Sequence, residues 1–170
     1  MRRRLSIELL EDRRLLTGDI DLIRHFDTWD DDIIRSTDVA GIAYHSSSHL
    51  YLVDSEINEI PEIFTGDNIF ETSLLGDEVF REIESGNIEP SGITYSAFDG
   101  YFYVTNDRGN HFITRYDGEL DGPLLEVSTT DDGANDPEGI TSDPSTGFLY
   151  LVDGANGARQ VLAYDSDLVF

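Results

Sequence analysis

Short apolar runs separated by polar turns recur along this chain in one fixed order. Gly41-Ile42-Ala43-Tyr44 leads through Ser46-Ser47-Ser48 to Leu50-Tyr51-Leu52-Val53-Asp54. Gly92-Ile93-Thr94-Tyr95 leads through Ala97-Phe98-Asp99-Gly100 to Phe102-Tyr103-Val104-Thr105-Asn106. Gly139-Ile140-Thr141-Ser142 leads through Asp143-Pro144-Ser145-Thr146-Gly147 to Leu149-Tyr150-Leu151-Val152-Asp153. Each unit predicts two strands joined by a turn, because β-branched and aromatic residues flank small, polar or glycine-bearing connections. The third turn is the best defined, since Pro144 presets a negative φ and Gly147 supplies a positive one.

A third strand is predicted downstream at Phe112-Ile113-Thr114-Arg115-Tyr116-Asp117-Gly118, at Gln160-Val161-Leu162-Ala163-Tyr164-Asp165 and, less regularly, at Ile60-Pro61-Glu62-Ile63-Phe64. A fourth follows at Leu124-Leu125-Glu126-Val127 and at Val79-Phe80-Arg81-Glu82-Ile83. The repeat glycines lie 51 and 47 residues apart, the period of a β-propeller blade, and four strands per period is the content of one. Ahead of the first unit, Leu22 to Asp27 and Ile33 to Arg35 match the third and fourth strands, and Leu168-Val169-Phe170 reads as the start of an outer strand at the other end. The expected fold is therefore all-β: a partial β-propeller of four-stranded antiparallel blades, about three and a half of them, behind a short N-terminal helix. Its divisions are an N-terminal segment 1–18 and a propeller region 19–170, parsed as outer strands 19–37, a blade 38–88, a blade 89–135 and an incomplete blade 136–170. Such a chain cannot close a ring alone, so the remainder is expected from a longer chain or a second copy.

Residues 1–18, MRRRLSIELLEDRRLLTG, hold Arg2, Arg3, Arg4, Arg13 and Arg14, five of the 11 basic residues. Leu5, Ile7, Leu9, Leu10, Leu15 and Leu16 are spaced as an interrupted amphipathic helix, and Glu8, Glu11 and Asp12 break the apolar stretch that a secretory signal needs. The string Leu10-Glu11-Asp12-Arg13-Arg14-Leu15-Leu16-Thr17-Gly18 resembles the LEPR-XLL signature at the start of large exported or surface proteins of environmental bacteria, with Asp12 where that signature often has proline. The resemblance implies an extracellular or cell-surface location.

Charge narrows the partners further. Thirty-five Asp and Glu against 11 Lys and Arg give a net charge of -24, which repels phosphate backbones and anionic lipid heads. Nucleic acid is accordingly not an expected partner, and no run is long enough for a membrane span. Divalent cations, cationic partners or simple solubility remain. The absence of cysteine excludes disulfides, thiolate metal sites and thiol catalysis.

The string Asp136-Pro137-Glu138-Gly139-Ile140-Thr141, with Asp143-Pro144-Ser145-Thr146-Gly147 and Leu149 to Asp153, resembles repeats of the SdiA-regulated and esterase-like phytase propellers, and more loosely NHL and gluconolactonase repeats. That resemblance covers 38–170 and implies calcium held by an acid just before the Gly-Ile strand and by oxygens at strand ends. Glu138 stands at the first position, where the other copies have Ala40 and Ser91; Asp54, Asn106, Asp107 and Asp153 stand at the second. These five are the candidate metal ligands, with calcium the candidate cofactor, since calcium takes six to eight oxygen ligands. The competing reading is that Asp and Asn at strand ends only cap the strand and start a turn.

Other chemistry is thinner. Thr129 to Asp136 lacks the oxygen spacing of an EF-hand, His45 and His49 flank a turn rather than one helix face, and neither a Gly-x-Ser-x-Gly elbow nor a phosphate-binding glycine loop is present. Tyr51, Tyr103 and Tyr150 recur at one position and are expected to pack between neighbouring blades. Three functions stay open at this point: an interaction or adhesion module for a protein or glycan at the cell surface, with calcium; a metal-dependent hydrolase using Glu138 and Asp153; and a truncated product without a function of its own.

Overall fold

The computed structural model describes residues 24–29, 34–45, 47–59, 65–154 and 159–170. Three antiparallel sheets follow one another along them. The first holds β1 (Val39–His45), β2 (His49–Asp54), β3 (Ile69–Ser73) and β4 (Val79–Ile83) in sequential order. The second holds β5 (Pro90–Ser96), β6 (Tyr101–Asn106), β7 (Phe112–Tyr116) and β8 (Pro123–Ser128), again in order. The third holds β9 (Pro137–Ser142), β10 (Leu149–Asp153) and β11 (Gln160–Tyr164). A 3-10 turn at Thr130–Asp132 is the helical element among the described residues. Meandering four-stranded sheets in series are consecutive blades, and the fold is a partial β-propeller, as the repeat predicts.

Registers are equivalent across the sheets: Ile42 pairs with Leu52 and Ala43 with Tyr51, Ile93 with Val104 and Thr94 with Tyr103, Ile140 with Leu151 and Thr141 with Tyr150. In each innermost strand the register slips just before the repeat glycine, at Ala40, Ser91 and Glu138, so that Val39, Pro90 and Pro137 face Asp54, Asn106 and Asp153. These are β-bulges, which lift one residue out of the ladder.

Packing follows from strand alternation. One face of each sheet carries the recurrent tyrosine, the other the recurrent isoleucine. Between the first two sheets, Tyr51, Val53 and Ile69 meet Ile93, Phe102 and Val104 in one buried cluster. Between the second and third, Tyr103 and Ile113 meet Ile140, Leu149, Leu151 and Leu162. Tyr51 and Tyr103 are therefore the inter-blade packing residues that the repeat predicts, while Tyr150, at the same register position, is 37% exposed, with no sheet packed on it among the described residues. The glycines explain themselves here too. A Cβ on Gly41 would lie 2.9 Å from the Cα of Gly92, whereas one on Gly139 would meet nothing within 4 Å. Innermost strands of adjacent blades approach too closely for a side chain at that point.

Two expectations are corrected. The third strand of the first blade is Ile69–Ser73, and residues 60–64 lie outside the described residues. Glu71 and Thr72 disguise β3, yet both are buried, Glu71 beside His49 Nδ1 at 2.6 Å. Leu168-Val169-Phe170 is a turn, not an outer strand: Leu168 has φ 59°, its N–H donates to the Asp165 carbonyl at 3.0 Å, and Leu120 repeats this geometry with φ 55° after Tyr116-Asp117. Of the outer strands expected in 19–37, the described residues contain an isolated bridge between Trp29 and Arg35. The helix expected in 1–18 lies outside the described residues.

Candidate functional site: an acidic rim

All three blades expose the same kind of edge, formed by the residue that enters the innermost strand and the residue that leaves the second. The carbonyls of Asp38, Glu89 and Asp136 accept hydrogen bonds from the N–H groups of Ser55, Asp107 and Gly154 at 3.2, 3.0 and 3.0 Å. The backbone thus places an acidic residue at one equivalent position of every blade.

The strand-end residues sit directly beneath this edge and serve it. Asp54 is fully buried; its Oδ2 accepts from Ser36 Oγ at 2.6 Å and Asp38 N at 2.8 Å, and its Oδ1 from Glu56 N at 2.9 Å and Ile57 N at 3.1 Å. Asn106 Oδ1 accepts from Glu89 N at 3.0 Å, while its amide donates to the Arg108 carbonyl at 2.5 Å. Asp153 Oδ1 accepts from Asn135 N at 3.1 Å and Asp136 N at 2.9 Å. Asp54, Asn106 and Asp153 therefore pin the rim loops, satisfying N–H groups that would otherwise be buried unpaired. Glu138 and Asp107, the other two candidate ligands, stand on the rim itself.

Repulsion connects the rim. Burial pushes the Asp107 carboxyl up to about 7, followed by the charge of Asp136, a hydrogen bond with it, and the charges of Glu89 and Glu138. Glu89 is also raised, by burial and then by Glu59, with Arg108 opposing; Glu138 is raised by burial and then by Asp136; Glu56 is raised by burial, Glu59 and Asp38. Like charges held together in a partly desolvated place favour protons or an added cation. The near basic side chains are Arg108, paired with Glu59, and His111, whose Nδ1 is 3.3 Å from Asp107 Oδ1. Among the described residues no three acidic or histidine side chains converge as a preformed metal centre, so the rim is an acidic surface rather than a cage.

His45 and His49 are engaged elsewhere. His45 Nδ1 lies 2.6 Å from Ser47 Oγ, and His49 stacks on Phe80 at 4.2 Å while its Nδ1 meets Glu71. The recurrent rim acids escaped the sequence reading, although a signal exists: Asp38, Glu89 and Asp136 each stand three positions before a repeat glycine.

Comparison with known proteins supports the fold. The chain is similar to a chain in the crystal structure of a nidogen/laminin complex, with TM-score 0.60 and 22% identity over 79% of this chain and 46% of that one. It is similar to the hydrazine synthase of Kuenenia stuttgartiensis, with TM-score 0.59 and 12% identity over 84% of this chain and 37% of that one. It is also similar to the PQQ-bound aldose sugar dehydrogenase of Streptomyces coelicolor, with TM-score 0.51 and 14% identity over 75% of this chain and 43% of that one. The chain spans under half of each of these, and identities this low carry the propeller architecture alone. No protein-family model matches the sequence, and no curated protein matches it.

Proposed function

We propose that this chain is part of a β-propeller interaction module of an exported or cell-surface protein, and that its acidic rim takes a cationic ligand. The observation that carries the proposal is the equivalent placement of Asp38, Glu89 and Asp136 on successive blades, with Asp107 and Glu138 crowded among them. A rim of one charge sign steers and holds an oppositely charged partner, here a basic protein segment. Calcium is the small-cation form of the same proposal, acting at Asp107, Asp136 and Glu138 rather than at the pinned strand ends. The hydrolase reading draws less support, because Asp153 Oδ1 is committed to the Asn135 and Asp136 amides. Location outside the cytoplasm is supported by the arginine-leucine string 2–18.

Isothermal titration with decalysine at low and at physiological salt tests the module. Binding that weakens with salt, and is lost in a Glu89→Gln/Glu138→Gln chain of unchanged circular dichroism, is expected. Equal binding by the substituted chain, or none by the parent at low salt, overturns it. A calcium titration followed by chelator checks the small-cation form through a reversible rise in melting temperature, and a flat response removes calcium.

A further inference from the structure

The two ends of the blade series expose opposite halves of one interface. Each sheet turns its tyrosine face onto the isoleucine face of the next, and the chain makes this contact twice. At the C-terminal end the tyrosine face is bare, with Tyr150, Val152 and Val161 exposed by 37, 46 and 66%. At the N-terminal end the isoleucine face is half bare, with Ile42 and Tyr44 exposed by 59 and 58%. We propose that these two faces dock on one another between two copies of this chain, head to tail, closing a ring of six sheets.

Three observations carry the choice of a second copy. The docking repeats an interface whose complementarity the chain itself demonstrates, with equivalent residues in equivalent register. Phe26 and Ile34 already pack on Leu52 and Phe70 of the second and third strands, so the part of the first sheet's isoleucine face left open is its innermost strand, at Ile42 and Tyr44. The third sheet offers three strands, with no fourth among the described residues. Finally, the space facing Gly139 is empty, where Gly41 and Gly92 each receive the innermost strand of a neighbour. Six sheets fall within the roughly four to eight blades over which propellers close. An interface of this head-to-tail kind either closes or runs on as an open series. The high negative charge opposes association, so raised salt strengthens it.

Sedimentation equilibrium on the intact chain tests the proposal, with twice 19.1 kDa as the expected mass at physiological and high salt. Ile42→Glu and Val152→Glu, both at exposed positions, each sediment as single chains with unchanged far-ultraviolet circular dichroism. Mixing the two restores a two-chain species, because each variant retains the face the other has lost; no dimer built on a single self-complementary patch behaves so. In the parent chain, amide-exchange protection of β10 increases with protein concentration. A single-chain mass at every concentration, a mass that grows without limit, or pairing that survives either substitution alone overturns the proposal.

Discussion

A Cβ built on Gly92 lies 2.6 Å from the backbone oxygen of Glu138 in the neighbouring blade, closer than real side chains come to backbone. Gly92→Ala must therefore push two innermost strands apart, at a cost of about 1–3 kcal/mol typical of overpacking. Gly139→Ala, facing open space, leaves the unfolding midpoint of the dilute single chain unchanged. Urea unfolding of the two variants checks the contrast.

Asp54 supplies the acceptors for five donors at the first rim, the Ser36 and Thr37 hydroxyls and the Asp38, Glu56 and Ile57 N–H groups. Removing it in Asp54→Ala strands those donors in a buried place and lowers stability by at least about 2 kcal/mol. Asp54→Asn recovers part of the loss through its remaining oxygen. Added calcium restores neither variant, and a calcium-dependent recovery of Asp54→Ala would contradict the pinning role.

Asp107 gives the rim a pH signature. Below its ordinary value of 3.8 the carboxyl is protonated whether the chain is folded or not. Between there and about 7 the folded chain keeps a proton that the unfolded chain releases. The stability contributed by this group is thus full below pH 3.8 and fades as pH rises through about 7. Thermal melts of the parent and of Asp107→Asn across pH 4–8 should converge at the acid end and diverge toward neutrality, with Asp107→Asn the more stable there.

Glu89 and Glu138 set stability against binding. Both carboxyls are raised by burial and by neighbouring acids, so neutralising them relieves repulsion. Glu89→Gln/Glu138→Gln is expected to melt higher than the parent at pH 7 while losing affinity for decalysine. A lower melting temperature would assign these side chains to holding the fold.

The blades were legible in the sequence because the Gly-Ile hairpin couples two constraints, strand alternation and the close approach of Gly41 to Gly92, and both leave residues at fixed spacing. The third strand of the first blade was not, since β3 is a central strand whose burial depends on a distant partner. Glu71 reads as solvent-facing until His49, 22 residues away, is seen beside it. The strand ends were visible as a recurrence of Asp54, Asn106 and Asp153, but composition alone does not tell an oxygen that binds a cation from one that binds an amide. Asp38, Glu89 and Asp136 carried a periodic signal that attention to the residue adjoining the glycine passed over.

The bulges before Gly41, Gly92 and Gly139 leave Ala40, Ser91 and Glu138 outside the regular ladder. A methyl, a hydroxyl and a carboxylate occupy this one location; Ala40 and Glu138 are exposed there, whereas Ser91 is buried, its Oγ bonding to Thr105 Oγ1 and to the Pro137 carbonyl of the next blade. The same bulge thus serves two ends: in the first and third blades it turns a side chain outward, clear of the ladder, and in the second it fastens one blade to the next.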